Sequence, residues 1–188
     1  HPSPDDWQED DWRQRCRDNF PTTACALCAL AREGVWPASR WREALQAWAE
    51  EKLIKRSWRH MGPVLATAPD DLLEAAAHSL SWWLQAIAKT FTGHEAVFVA
   101  LIRRFLRLAH KDGVDTDDPV MRAINHPVGQ VTEALLRWWY RSSPEDQQGL
   151  PEEPKAIFTE LSDTHFEKFR PGRVLLAAHV IALFRVDP

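Results

Sequence analysis

Prolines punctuate this chain more than they interrupt it, and that placement limits what it can fold into. Most of the 13 Pro lie between apolar stretches, not inside them. A residue with no N–H and a φ fixed at about −65° starts or ends a helix there without breaking one. Between these marks apolar residues recur at helical intervals: Trp41, Leu45 and Trp48 at i, i+4 and i+7, then Val128, Val131, Leu135 and Trp138. No stretch alternates with period two, and Asn-Gly hairpin turns are absent. The reading is therefore all-α, on the order of 60–70% helix against a base rate near a third. About eight helices are expected, as an irregular bundle or as stacked antiparallel helix pairs, with no sheet. They make one helical domain, 1–188, which allows a subdivision into 1–68 and 69–188. A chain of 188 residues buries enough surface to need no disulfide or metal for its core.

Local signals set the expected boundaries. A short helix opens the chain around Trp7, Trp12 and Cys16. Another runs over 21–33, ending before Gly34. Ser39 offers a cap for the helix carrying Trp41. Residues 52–60 continue as helix until Gly62-Pro63 stops it. Asp70 caps a helix over 72–89. The next spans 94–111, ends at Gly113 and, being uninterruptedly apolar from Ala96 to Ile102, is buried on most sides. An acidic turn, 112–118, precedes a short helix over 119–124. Residues 127–141 follow, with Glu133 and Arg137 paired at i, i+4. A polar loop over 142–149 leads to helices over 152–161 and 171–185, with a single turn over 165–169.

Composition excludes several functions. A net charge of −4 gives no whole-chain attraction to nucleic acid or anionic lipid. The apolar run 174–184, interrupted by His179, falls far short of the roughly 20 residues a membrane span needs. An odd count of three Cys points to a reducing compartment. Walker, G-x-G-x-x-G and G-x-S-x-G motifs are missing, so no phosphate cradle or nucleophile elbow is legible. His94-Glu95 fails as a zinc-protease start because Phe98 stands where the second His belongs, and the 112–118 turn lacks the Gly and Glu of a calcium loop. Cys25 and Cys28 lie in an apolar helix body, so they read as buried core residues; a zinc site would need them, Cys16 and a fourth ligand. No catalytic residue, metal ligand or cofactor is assigned.

Two surfaces remain. Lys52, Lys55, Arg56 and Arg59 form a basic stripe at i, i+3, i+4 and i+7 that could hold phosphates, with Trp58 stacking on a base. The plainer reading is a solvated face partnered by Glu50 and Glu51. The 10 Trp include two adjacent pairs, Trp82–Trp83 and Trp138–Trp139. Consecutive helical residues point about 100° apart, so each pair implies a helix contacted on two sides. Residues 174–184 are apolar at nearly every position, which implies a neighbour not supplied by this stretch of chain. Trp138, Trp139, His179 and Phe184 are therefore the candidate interaction residues, with His179 a hydrogen-bonded core or interface histidine.

The stretches Ile124-Asn-His-Pro-Val-Gly-Gln-Val-Thr-Glu-Ala-Leu-Leu-Arg-Trp-Trp-Tyr140, Gly149-Leu-Pro, Ile157-Phe-Thr-Glu-Leu and Gly172-Arg-Val-Leu-Leu-Ala-Ala-His-Val-Ile-Ala-Leu-Phe-Arg-Val-Asp187 resemble the uncharacterised helical domain found downstream of sirtuin-like domains in bacterial antiphage defence proteins. The resemblance covers residues 119–188. It implies a bacterial, cytoplasmic defence protein whose separate sirtuin-like domain hydrolyses NAD, and gives this chain a non-catalytic regulatory, sensor or scaffold role. The implied partners are other domains of the parent chain, a phage protein as trigger, and further copies of the chain. A longer native chain on both sides is also expected. The rival reading is a helical module contacting nucleic acid through 52–59; a third is a metal-dependent enzyme built on Cys16, Cys25 and Cys28.

Overall fold

The computed structural model describes residues 11–108 and 118–188. Expectations for Trp7, for Lys111 and Gly113 at a helix end, and for the turn through Asp117 lie outside the described residues. Helix accounts for 76% of the structure and no strand is present among the described residues. The helices are α1 (Trp12–Asp18), α2 (Phe20–Arg32), α3 (Ala38–Trp48), α4 (Glu51–Ala66), α5 (Asp70–Ala75) and α6 (Ala77–Ile87) in the first half. The second half holds α7 (Glu95–Arg107), α8 (Pro119–Asn125), α9 (Pro127–Tyr140), α10 (Glu152–Ser162), α11 (Arg170–Ala178) and α12 (Val180–Val186), with a 3-10 turn at Glu167–Phe169.

Among the described residues twelve helices replace the expected eight or so, partly because two predicted helices are jointed. Ala76 (φ −101°) separates α5 from α6, and His179 (φ −107°) separates α11 from α12. Neither joint strips the backbone of partners: Ala76 N–H donates to Leu72 O, and Leu80 N–H donates to Ala76 O. His179 N–H likewise donates to Leu176 O. Bends of this kind leave no periodicity signal, since the apolar spacing runs through them.

Other boundary signals mislead in the opposite direction. Gly62-Pro63 does not stop α4, which runs to Ala66 with Pro63 inside it. Pro63 removes the N–H that would donate to Arg59 O, but Met61 and Leu65 on either side of it are buried, so packing carries the helix through the lost bond. Ser39 does not cap α3; Pro37 holds that position and no side chain bonds the first turn. Asp70 is inside α5, not before it, and its carboxylate accepts from Arg104 Nε at 2.8 Å. α7 is amphipathic rather than buried on most sides, because Ala96 and Ala100 are exposed. The extents of α2 and α9 agree with the sequence, and the Glu133–Arg137 pair forms at 2.9 Å.

The most extensive pairing is α6 on α9, with α3 on the other side of α6. Ser79 accepts from Gln46 Nε2 of α3 at 3.0 Å, and Ser81 donates to Gln130 Oε1 of α9 at 2.6 Å. Helix α6 is thus contacted on two sides, but through small serines that let its neighbours come close. Trp83 is fully buried and donates to Ser57 Oγ at 3.0 Å. Trp82 is 59% exposed, contrary to the expectation for that pair.

Trp58 sits at the centre, its ring 5.7 Å from Trp83, 5.1 Å from Phe91 and 5.8 Å from Phe98. Phe98 passes the contact to Trp138 at 6.0 Å. One apolar cluster therefore runs from Cys16 to Val186, and α4 packs on α6 and α7 across residue 68. Not every indole finds a partner at the core edge. Those of Trp12, Trp58 and Trp83 do, whereas Nε1 of Trp41, Trp48 and Trp139 is buried without one among the described residues.

Candidate interaction surface

Helix α11 packs against α8 and α9, and α12 continues beyond the joint at His179. Gly172 makes the α9–α11 approach feasible: a Cβ there would lie 2.8 Å from Thr132 Oγ1 and 3.0 Å from Leu161 Cδ2. The loop after α9 then ties α12 down. Gln147 N–H donates to Arg185 O at 2.7 Å, and Gly149 N–H donates to Val186 O at 2.8 Å. Lys155 pairs with Asp187 at 2.7 Å, and Arg185 with Asp146 at 2.8 Å. The Lys155–Asp187 hydrogen bond pushes the ammonium up and the carboxyl down from their usual ranges. Two backbone bonds and two ion pairs thus anchor the end of the helix.

So held, α12 buries Val186 and presents Val180, Ile181 and Phe184, which are 56%, 77% and 67% exposed. At 100° per residue these three positions share an arc of about 100°, one continuous apolar face. Large exposed apolar residues grouped on one face mark interaction sites more often than scattered ones do.

Behind that face His179 is half-buried at the joint. Its Nδ1 lies 3.1 Å from Tyr140 Oη, and its Nε2 lies 3.9 Å from Glu133 Oε2. With the ring proton on Nε2 toward Glu133, Tyr140 donates to Nδ1. Burial, with the Glu133 charge, pushes the Tyr140 hydroxyl pKa up, so it remains a donor. This carboxylate–imidazole–phenol set orients the joint. Trp139 is buried, against Phe158 at 6.2 Å, and Trp138 is half-buried against Phe98. The structure therefore brings His179 and Phe184 near the surface but packs the two Trp into the core, with Trp139 beside Tyr140 at 4.7 Å and Trp138 against Phe98 of α7.

The basic stripe is elsewhere. Lys52, Lys55, Arg56 and Arg59 are all exposed on α4. Trp58 cannot stack on a base, because it is fully buried with Nε1 donating to Gly93 O at 3.0 Å. Glu50 does not partner the stripe; it takes Arg17 instead. Arg56 lies over the Phe20 ring at 5.0 Å.

The cysteines also depart from expectation. Cys16 is buried and Cys28 half-buried, but Cys25 is exposed, since α2 buries Phe20, Thr23, Ala24 and Leu27 and turns residue 25 outward. Desolvation pushes the Cys16 thiol up to about 11. Among the described residues no three His, Cys, Asp or Glu gather at metal-holding distance, so the three-cysteine site is not assembled.

A second basic cluster was not legible in sequence. A cleft of about 280 Å3 beside α8 and α11 is lined by Arg122, His126, Lys168 and Arg170, with Glu167. Lys168 Nζ is engaged with the carbonyls of Leu106 and Arg107, and His126 Nδ1 accepts from Val128 N–H. Its residues come from segments some forty positions apart, so no local spacing announces it. Among the described residues no helix is long and apolar enough to cross a membrane. The chain matches no family model, no curated protein and no solved structure.

Proposed function

We propose that this chain is a non-catalytic helical regulatory or scaffold region of a bacterial, cytoplasmic antiphage defence protein, whose separate sirtuin-like domain hydrolyses NAD. The observation that carries this reading is the exposed face of Val180, Ile181 and Phe184 on α12, inside the segment that resembles the defence-associated domain. A surface of that kind acts by contact. It can bias an effector domain only by binding its resting and active states unequally. Other domains of the parent chain, a phage protein or a second copy are the partners this surface suits.

The test has two arms. Purified 1–188 is expected to leave NAD intact; turnover by the chain alone overturns the non-catalytic assignment. In the full-length parent, Ile181→Asp with Phe184→Asp is expected to change protection against phage while the effector's own catalytic residues stay in place. Unchanged protection from a folded double variant removes α12 from any regulatory role. The nucleic-acid alternative keeps one supporting observation, the exposure of Lys52, Lys55 and Arg59. It predicts DNA binding that weakens steeply with salt and with Lys52→Glu and Lys55→Glu.

A further inference from the structure

Helices α2 and α4 leave a groove of about 320 Å3 between them, lined by Cys25, Cys28 and Met61, with Arg32, Arg56 and His60 at its rims. Both cysteines are free thiols. Positions i and i+3 on a helix bring side chains to neighbouring places, their Cβ atoms about 5–6 Å apart. The third sulfur comes from the facing helix: Cys28 Sγ stands 4.0 Å from Met61 Sδ. With metal–sulfur bonds of about 2.3 Å, two sulfurs on one ion at roughly 120° lie about 4.0 Å apart. The Cys28–Met61 pair already has that separation with no ion included.

We propose that Cys25, Cys28 and Met61 form a three-sulfur site for a soft univalent cation of the copper(I) or silver(I) class. Thiolate and thioether ligands select such ions over harder ones. Zinc asks for four ligands, usually thiolate, imidazole or carboxylate, and no third ligand of that kind joins the two cysteines among the described residues. Two thiolates with a univalent ion carry one net negative charge, and the guanidinium groups of Arg32 and Arg56 line the same groove. Binding releases the two thiol protons and involves no electron transfer. The site does not depend on the proposed defence role.

The test titrates the intact chain anaerobically with copper(I) against a chromogenic copper(I) chelator. One equivalent is expected to bind, and X-ray absorption should show three sulfur neighbours. Met61→Leu, which conserves core volume, should weaken binding about tenfold or more, equivalent to roughly 1.4 kcal/mol, with the circular dichroism spectrum unchanged. Cys28→Ser should abolish stoichiometric binding, whereas Cys16→Ala should leave it unaltered. Wild-type affinity in Met61→Leu, or a two-sulfur absorption spectrum, overturns the site. So does one equivalent of zinc that copper(I) fails to displace.

Discussion

Helix α4 turns Trp58, Met61 and Leu65 into the middle of the molecule and leaves Lys52, Lys55, Arg56 and Arg59 in solvent. Helix α12 buries Val186 and leaves Val180, Ile181 and Phe184 outside. Both are made of residues that a helix can bury. The difference is in what each has left for water. α4 has a charged face to spare, so packing four neighbouring helices (α2, α3, α6 and α7) against its apolar side completes it. α12 has almost no polar face, so after it docks through Val186 the remaining apolar residues have nothing to cover them. One helix therefore contributes stability and the other contributes surface.

Substitutions should separate the two sharply. Trp58→Ala is expected to have the largest effect, about 3–5 kcal/mol, because it opens a cavity among Trp83, Phe91 and Phe98 and removes the donor to Gly93 O. Urea unfolding measures this; a loss below about 1 kcal/mol would mean that the aromatic centre is not the stabilising core.

Thiols draw the same contrast between inside and surface. Cys16, fully buried, has its pKa raised from 9.0 to about 11 by desolvation. Its unfolded form ionises first, so the unfolded state binds fewer protons between these values and stability falls as pH rises from 9 toward 11. The loss should approach roughly 2–3 kcal/mol. Unfolding curves across that range for the wild type and Cys16→Ala should diverge by this slope. Parallel curves would show that the buried thiol is not the source.

Gly62→Ala comes next. Its Cβ would lie 2.8 Å from Trp58 Cζ3, and that ring is enclosed on all sides. Overpacking of this sort costs about 1–3 kcal/mol, more than the helix propensity gained. A stabilised variant would show that the Trp58 ring can move. The smallest effect belongs to α12: Phe184→Asp should shift stability by no more than about 0.5 kcal/mol in urea unfolding. A large destabilisation would mean that this face is packed after all.

Part of this was legible beforehand. The helical class followed from spacing, the limits of α2 and α9 from Pro and Gly, and the Glu133–Arg137 pair from an i, i+4 interval. The apolar excess of 174–184 pointed to the face that α12 exposes. The joints at Ala76 and His179 were not legible, because hydrogen bonding and apolar spacing both continue across them. The outward turn of Cys25 is not legible either, because an Ala/Leu/Cys helix looks buried all round until its neighbour is placed.

By itself the sequence determined where helices form, since caps, prolines and a 3.6-residue period act within a few positions along the chain. Which side of each helix meets another was decided only by the tertiary structure. Trp82 and Trp83 are adjacent and chemically identical, yet one is 59% exposed and the other fully enclosed. Their difference comes from Ser57, 26 residues before Trp83, and from the close approach of α3 and α9 to the serines of α6. Contacts between positions so far apart carry no local period, and so only packing can choose between the two faces.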